Sequence, residues 1–157
     1  MVKSTTRPIR ENEIHGVHYY FLTDKEFELS KNVGLISAVS EYRGWYYGIN
    51  AGAVTTTKPN LVVLDIQQIR DLLKKEDIDL TLFKISASPK TRMLRQLNRE
   101  DNPDVDEINR RYEADKKEYA AIDFDYIELQ NETAEDADRA LLEIMRAGCA
   151  ASLGKSV

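Results

Sequence analysis

The sequence predicts an α/β fold: a parallel sheet with helices on its faces, preceded by a small antiparallel insertion. Three observations carry this. From Leu61 onward the strand-forming runs "LVVLDI", "LTLFKIS" and "FDYIEL" alternate with helical segments, the pattern of strands buried within a parallel sheet. Before Leu61, "LISAVSEY" and "WYYGI" flank Arg43-Gly44, as the arms of an antiparallel hairpin do. The chain has 157 residues, 42% of them hydrophobic and 31% charged, which suits one core and a soluble surface.

Along the chain, "VHYYFLT" (Val17 to Thr23) is aromatic and β-branched and reads as a strand. "DKEFELSKN" follows as a short helix, with Asp24 as its N-cap. The stretch from Asn50 to Asn60 is small, hydroxylated and turn-like. "LVVLDI" is apolar enough to be buried on both faces, and a helix from about Gln67 to Lys75 comes after it. Ser88-Pro89 opens the next helix, serine as cap and proline in the first turn. "DEINRRYEADKKEYAAI" is a charged helix whose acid–base spacing suits a solvated face. "TAED", Thr133 to Asp136, has capping-box spacing, and in the helix after it Ala137, Leu141, Ile144 and Met145 share one face, with Gly148 as its stop. Residues 148–157 read as a tail.

Composition narrows the partners. A net charge of −5 argues against general nucleic-acid binding, which needs a broad basic face. No apolar run approaches the roughly 20 residues that span a bilayer. One cysteine, Cys149, permits no internal disulfide and suits a reducing, cytoplasmic setting. Against this acidic background Arg7 and Arg10 stand out. Two guanidiniums close together form a fork for a phosphate or carboxylate, and Tyr19 and Tyr47 add phenolic donors from neighbouring strands. His15 and His18 frame a turn, but no carboxylate or cysteine has the spacing of a metal site around them.

The order of these features, "STTRPIRENEIHGVHYYFLTDKEF", then "GWYYG", then "LVVLDI", then "INRRYEADKKEYAAIDFDYIEL", resembles the guanylate kinase family from about Lys3 to Met145. The resemblance implies a P-loop nucleoside-monophosphate-kinase-like domain over residues 1–147. Residues of about 3–58 would be its monophosphate-binding part and 59–147 its core, with a lid at about 99–105. It implies phosphoryl transfer from ATP, with Mg2+, to GMP or a related monophosphate. Arg7, Arg10, Tyr19 and Tyr47 would hold the acceptor phosphate. Asp65 would close a core strand beside the nucleotide, and the lid arginines Arg99 and Arg111 would neutralise charge on the transferring group.

The departures from the family pattern are equally specific. The serine four residues before the first arginine falls on Lys3, the guanine-reading glutamate on Ala38, the hydroxyl after "YYG" on Ile49, and the second aspartate of "LDID" on Gln67. Family members also carry a strand and a glycine-rich P-loop ahead of the position matching Ser4. No such unit precedes Ser4 here, and "GCAASLGKSV" lacks both P-loop spacing and a preceding strand. The resemblance therefore implies a domain without its first strand and donor-phosphate loop, inactive alone, with a second chain as one source of the missing unit. The alternative it implies is a non-catalytic binding module for phosphate-bearing ligands or phosphopeptides. In the family the absent strand lies between "LVVLDI" and "LTLFKIS", so an open slot in the sheet is expected.

Overall fold

The computed structural model describes residues 1–54, 58–99 and 103–153, the side chains of 150–153 excepted. The chain divides into two compact units, Met1–Asp79 and Leu80–Val157. "LVVLDI" and the helix after it lie in the first of these units, with the hairpin.

The first unit is built on a four-stranded mixed sheet of order β2-β1-β4-β3, from β1 (Lys3–Thr5), β2 (Tyr19–Phe21), β3 (Ile36–Tyr42) and β4 (Trp45–Asn50). β3 and β4 form the expected hairpin. Arg43 and Gly44 both have positive φ, 57° and 77°, as the twist-matched two-residue turn requires. β1 is a strand that the sequence pattern does not announce. "KST" is short and polar, yet it runs through the sheet, parallel to β2 and antiparallel to β4. Its neighbours satisfy the buried hydroxyls. Ser4 Oγ donates to Asn50 Oδ1 (2.6 Å), and Thr5 Oγ1 accepts from the Arg7 N–H (3.1 Å). Just beyond the strand, Thr6 Oγ1 accepts from the Tyr46 N–H (3.0 Å). Parallel pairing has a consequence for residues 6–18: they must cross from the end of β1 to the start of β2, and they carry both arginines.

One face of this sheet packs on α1 (Asp24–Asn32), with Phe27 and Ile36 buried. Gly48 lies beneath them. A Cβ there would fall 2.3 Å from Ile36 Cγ2 and 3.2 Å from Phe27 Cζ, so only glycine fits. The N-cap of α1 is Thr23, not Asp24. Its hydroxyl accepts from the Glu26 N–H, and Glu26 returns the bond to the Thr23 N–H (2.8 Å). This full capping box satisfies two otherwise orphaned donors, which Asp24 alone does not.

The expected strand "LVVLDI" is corrected. Residues Leu61–Asp65 join no ladder, and Leu61 and Val63 are 64% and 85% exposed. The carbonyls of Leu61 and Val63 accept instead from the Met1 ammonium (3.2 Å) and Lys3 Nζ (2.9 Å). An apolar run becomes a strand only where another backbone lies alongside it, and here single ammonium groups take that place. The chain then enters α2 (Ile66–Leu73), capped by Asp65.

In the second unit β5 (Phe83–Ser86) and β6 (Ile127–Gln130) pair in parallel, in register Phe83↔Ile127. The parallel sheet expected from the βα alternation thus has two strands among the described residues. Helices α3 (Pro89–Leu97) and α4 (Val105–Ala120) follow β5, and α5 (Ala134–Leu153) follows β6. Ser88 caps α3 with Pro89 in its first turn. The "TAED" box forms in both directions, Thr133 N–H to Asp136 Oδ2 (3.0 Å) and Asp136 N–H to Thr133 Oγ1 (3.1 Å). Two expectations for α5 are corrected. The helix runs through Gly148 to Leu153, since one glycine costs only about 1 kcal/mol and alanines continue the run. Its inward face carries Ala140 and Ile144, whereas Ala137, Leu141 and Met145 are exposed. No helix among the described residues is long and apolar enough to cross a membrane.

Candidate functional site

The arginine loop and the two tyrosines meet on one face of the first unit's sheet. Tyr19 pairs with Lys3, and Phe21 and Tyr47 both pair with Thr5. Positions two apart on a strand share a face, so all three rings project to the same side. The Tyr19 ring lies 6.0 Å from Tyr47 and 5.9 Å from Phe21. The Arg7 guanidinium sits over this aromatic floor, 5.8 Å from the Tyr19 centroid and 5.6 Å from Phe21, within cation–π range.

Arg7 is further held by Glu13. Nη2 donates to Glu13 Oε1 (2.7 Å), while Nη1 donates to Glu13 Oε2 (3.0 Å) and to the Pro8 carbonyl (2.7 Å). The two side chains are only 11% and 15% exposed. The Glu13 carboxylate also accepts from the Arg10 N–H (2.9 Å), and the Glu13 N–H donates to the Arg10 carbonyl (3.0 Å). The hydrogen bonds from Arg7 hold the Glu13 pKa down to about 2, so the pair stays ionised through the neutral and mildly acidic range. Arg7 is pushed up, chiefly by Glu13 and to a lesser extent by the adjacent Tyr47 phenol. Burial raises the Tyr19 phenol, with Tyr47, Arg7, Glu13 and Arg10 all acting on it. Arg7, Arg10, Tyr19 and Tyr47 therefore form one cluster, with Arg10 at its exposed rim.

Asp65 has a different place from the strand end expected of it. It caps α2, accepting from the Gln68 N–H (2.8 Å) and, through a short hydrogen bond, from the Ser40 hydroxyl. Gln68 is fully buried. Its Nε2 donates to the carbonyls of Ala38 (3.0 Å) and Tyr47 (3.3 Å), and its Oε1 accepts from Lys3 Nζ (3.2 Å). Burial lowers the Lys3 pKa, while Asp65 opposes that shift. This bracket fastens α2 to β3 where the β3–β4 register shifts between Ser37 and Ser40 and where Ala38 takes φ 46°. It also fastens the backbone of Tyr47.

Of the four positions that depart from the family pattern, Lys3 is turned toward α2, Ala38 and Ile49 are buried, and Gln67 Nε2 donates to Asp71 Oδ1 (3.2 Å).

The second unit holds the other two predicted residues. Arg99 is exposed just after α3, its N–H donating to the Gln96 carbonyl (3.2 Å). Arg111 lies on α4, its Nε donating to Glu107 Oε1 (2.6 Å). Residues 100–102 of the expected lid lie outside the described residues. Glu132 organises the strand ends there, accepting from Thr91 Oγ1 (2.6 Å) and Ser88 Oγ (3.2 Å) and, through a short bond, from the Ser88 N–H. The histidines of the first unit serve the turn. His18 Nδ1 accepts from the Ile14 N–H (3.0 Å) and His15 Nδ1 from the Phe21 N–H (3.2 Å).

Glu13 and Gln68 are the residues that sequence reasoning missed. For Glu13 a signal existed: an acid three residues beyond an arginine, in the turn-forming run "RENE". For Gln68 none did, because a single amide on a short helix has no pattern.

The family model described as Guanylate kinase matches residues 1–148. The guanylate kinase of Streptomyces kasugaensis is 32% identical over 149 residues, covering 92% of this chain and 72% of that protein. The guanylate kinase of Streptococcus agalactiae is 33% identical over 144 residues, covering 88% of this chain and 68% of that protein. The crystal structure of guanylate kinase from Anaplasma phagocytophilum matches with a TM-score of 0.66 at 23% identity, covering 93% of this chain and 73% of that one. At that identity the structural likeness speaks to the fold alone.

Proposed function

This chain belongs to the guanylate kinase family, and on that premise we propose that its first unit binds the phosphate of a nucleoside monophosphate, the acceptor in ATP-dependent phosphoryl transfer. The observation that carries the reading is the cluster of Arg7, Arg10, Tyr19 and Tyr47 on one sheet face, with the Arg7 guanidinium held in a fixed plane by Glu13. Arg7 supplies a planar fork, Arg10 a second cation at the rim, and the two phenols hydroxyl donors. Arg99 and Arg111 are assigned to the transferring phosphoryl group, whose charge needs neutralising in the transition state. ATP and Mg2+ are the donor and metal the family implies. Among the described residues no cluster of three or more histidine, cysteine or acidic side chains is arranged to hold a metal. Bound Mg2+ would rest largely on the phosphate oxygens of the nucleotides, as is usual for Mg2+ in such enzymes. The 157 residues contain no G-x-x-x-x-G-K-[ST] run to hold the donor phosphates. A coupled assay of the 157-residue polypeptide with ATP, Mg2+ and GMP is expected to stay at background.

Base preference is expected to be weak, because the positions that read guanine in the family are here Lys3, Ala38, Ile49 and Gln67. Sites that hydrogen-bond a substrate group reject analogues lacking it by up to about 10⁴–10⁵-fold, and that lever is missing. In calorimetric titrations GMP, AMP and dTMP should bind within about tenfold of one another. A strong GMP preference would contradict the reading of the pocket. Binding of a phosphopeptide with none of the three nucleotides would favour the binding-module alternative.

A further inference from the structure

Arg7 presents five N–H donors, and the structure shows how three of them are used. Both Nη1 hydrogens are committed, one to Glu13 Oε2 and one to the Pro8 carbonyl, and one Nη2 hydrogen goes to Glu13 Oε1. The Nε–H and the second Nη2–H are taken by neither Glu13 nor Pro8, and the Tyr47 phenol is the neighbouring side chain that also acts on the guanidinium. These two N–H groups lie on a single edge of the guanidinium plane and suit an oxyanion bidentately. Glu13 therefore occupies one edge of the fork and leaves the other. The same carboxylate receives the Arg10 N–H and closes the turn that sets Arg10 relative to Arg7. One side chain thus fixes the plane of the first arginine and the backbone of the second.

We propose that Glu13 is a positioning residue for the phosphate grip: it holds Arg7 with its Nε–Nη2 edge available and keeps Arg10 in register, and it stays in place when the anion binds. The inference rests on the phosphate-binding reading above. It assigns Glu13 no contact with the ligand. The opposite role, a carboxylate that fills the anion site and must be expelled, would need Glu13 to take the Nε–Nη2 edge, whereas it bonds Nη1 and Nη2. The carboxylate adds a negative charge beside the site, which by itself opposes an anion. Its contribution is orientation, because an arginine already held in its bound conformation loses less freedom on binding.

The test uses the full chain and three measurements on the wild type and Glu13→Gln. In arginine side-chain NMR spectra of the unliganded protein, Arg7 should show slow rotation about its Cζ–Nη bonds, and Glu13→Gln should release it. The Arg10 backbone amide should shift in the same variant. Titrated with GMP, Glu13→Gln should bind about tenfold more weakly, with its thermal melt still cooperative. Should that variant fail to fold, Glu13→Asp keeps the charge, loses the reach to both arginines, and is expected to show the same NMR signature with a smaller loss. Free rotation of Arg7 in the wild type overturns the proposal, as does GMP binding by the variant that is unchanged or tighter. A wild type that holds Arg7 rigid yet binds no GMP overturns the phosphate reading instead and leaves the Arg7–Glu13 clamp standing.

Discussion

Arg7→Ala is expected to weaken monophosphate binding by about 10- to 100-fold, whichever base the nucleotide carries. Hydrogen bonds to charged groups contribute about 1.5–3 kcal/mol each, and every 1.4 kcal/mol is tenfold in affinity. Arg7 stands at the centre of the cluster, over Tyr19 and Phe21 and beside Tyr47, so its loss removes the fork and uncovers the aromatic floor. Arg7→Lys keeps the charge but not the planar fork and should fall between the two. Arg10→Ala, at the exposed rim, should lose less. Calorimetry on the three variants checks this ranking. Unaltered affinity in Arg7→Ala would remove the arginine fork from the site altogether.

Gln68→Leu is expected to destabilise the protein by about 2–4 kcal/mol and to disturb ligand binding indirectly. Leucine has a similar volume, so the cost is polar. The buried Ala38 carbonyl loses its donor, the Tyr47 carbonyl loses another, and Lys3 Nζ loses an acceptor. A buried group left unpaired costs about 1–3 kcal/mol, and groups in one network do not fail independently. The effect should centre on the register shift at Ser37–Ser40, where Ala38 holds a left-handed backbone that alanine alone does not favour. Denaturant unfolding should show a lower midpoint at constant slope. A midpoint shift worth less than about 0.5 kcal/mol, the range of ordinary surface substitutions, would show that the bracket is dispensable.

Together the two expectations separate the groups that meet a ligand from those that hold them. Arg7 belongs to the first kind. Gln68 belongs to the second, since it touches the main chain of Tyr47 and nothing that faces the cluster. A loss of affinity in Gln68→Leu should therefore be reversed by conditions that restore the fold, whereas the loss in Arg7→Ala should not.

What the sequence determined by itself is local or serial. The Ser88-Pro89 start of α3, the Thr133–Asp136 box of α5 and the Arg43-Gly44 hairpin each follow from side chains within a few residues of the backbone they satisfy. The arginine and tyrosine cluster was legible because its members recur in a family order. Tertiary structure alone decided the rest. "KST" is a strand because β2 and β4 lie on either side of it, and its hydroxyls find Asn50, Arg7 and Tyr46. "LVVLDI" has the stronger strand composition, yet its carbonyls meet the Met1 and Lys3 ammonium groups instead of a ladder. Gln68 matters through bonds to residues 21, 30 and 65 positions away. The physical reason is common to all three: a backbone or buried polar group is satisfied by whatever lies across from it in space, and hydrophobic periodicity along the chain records which side is buried, not which partner is there.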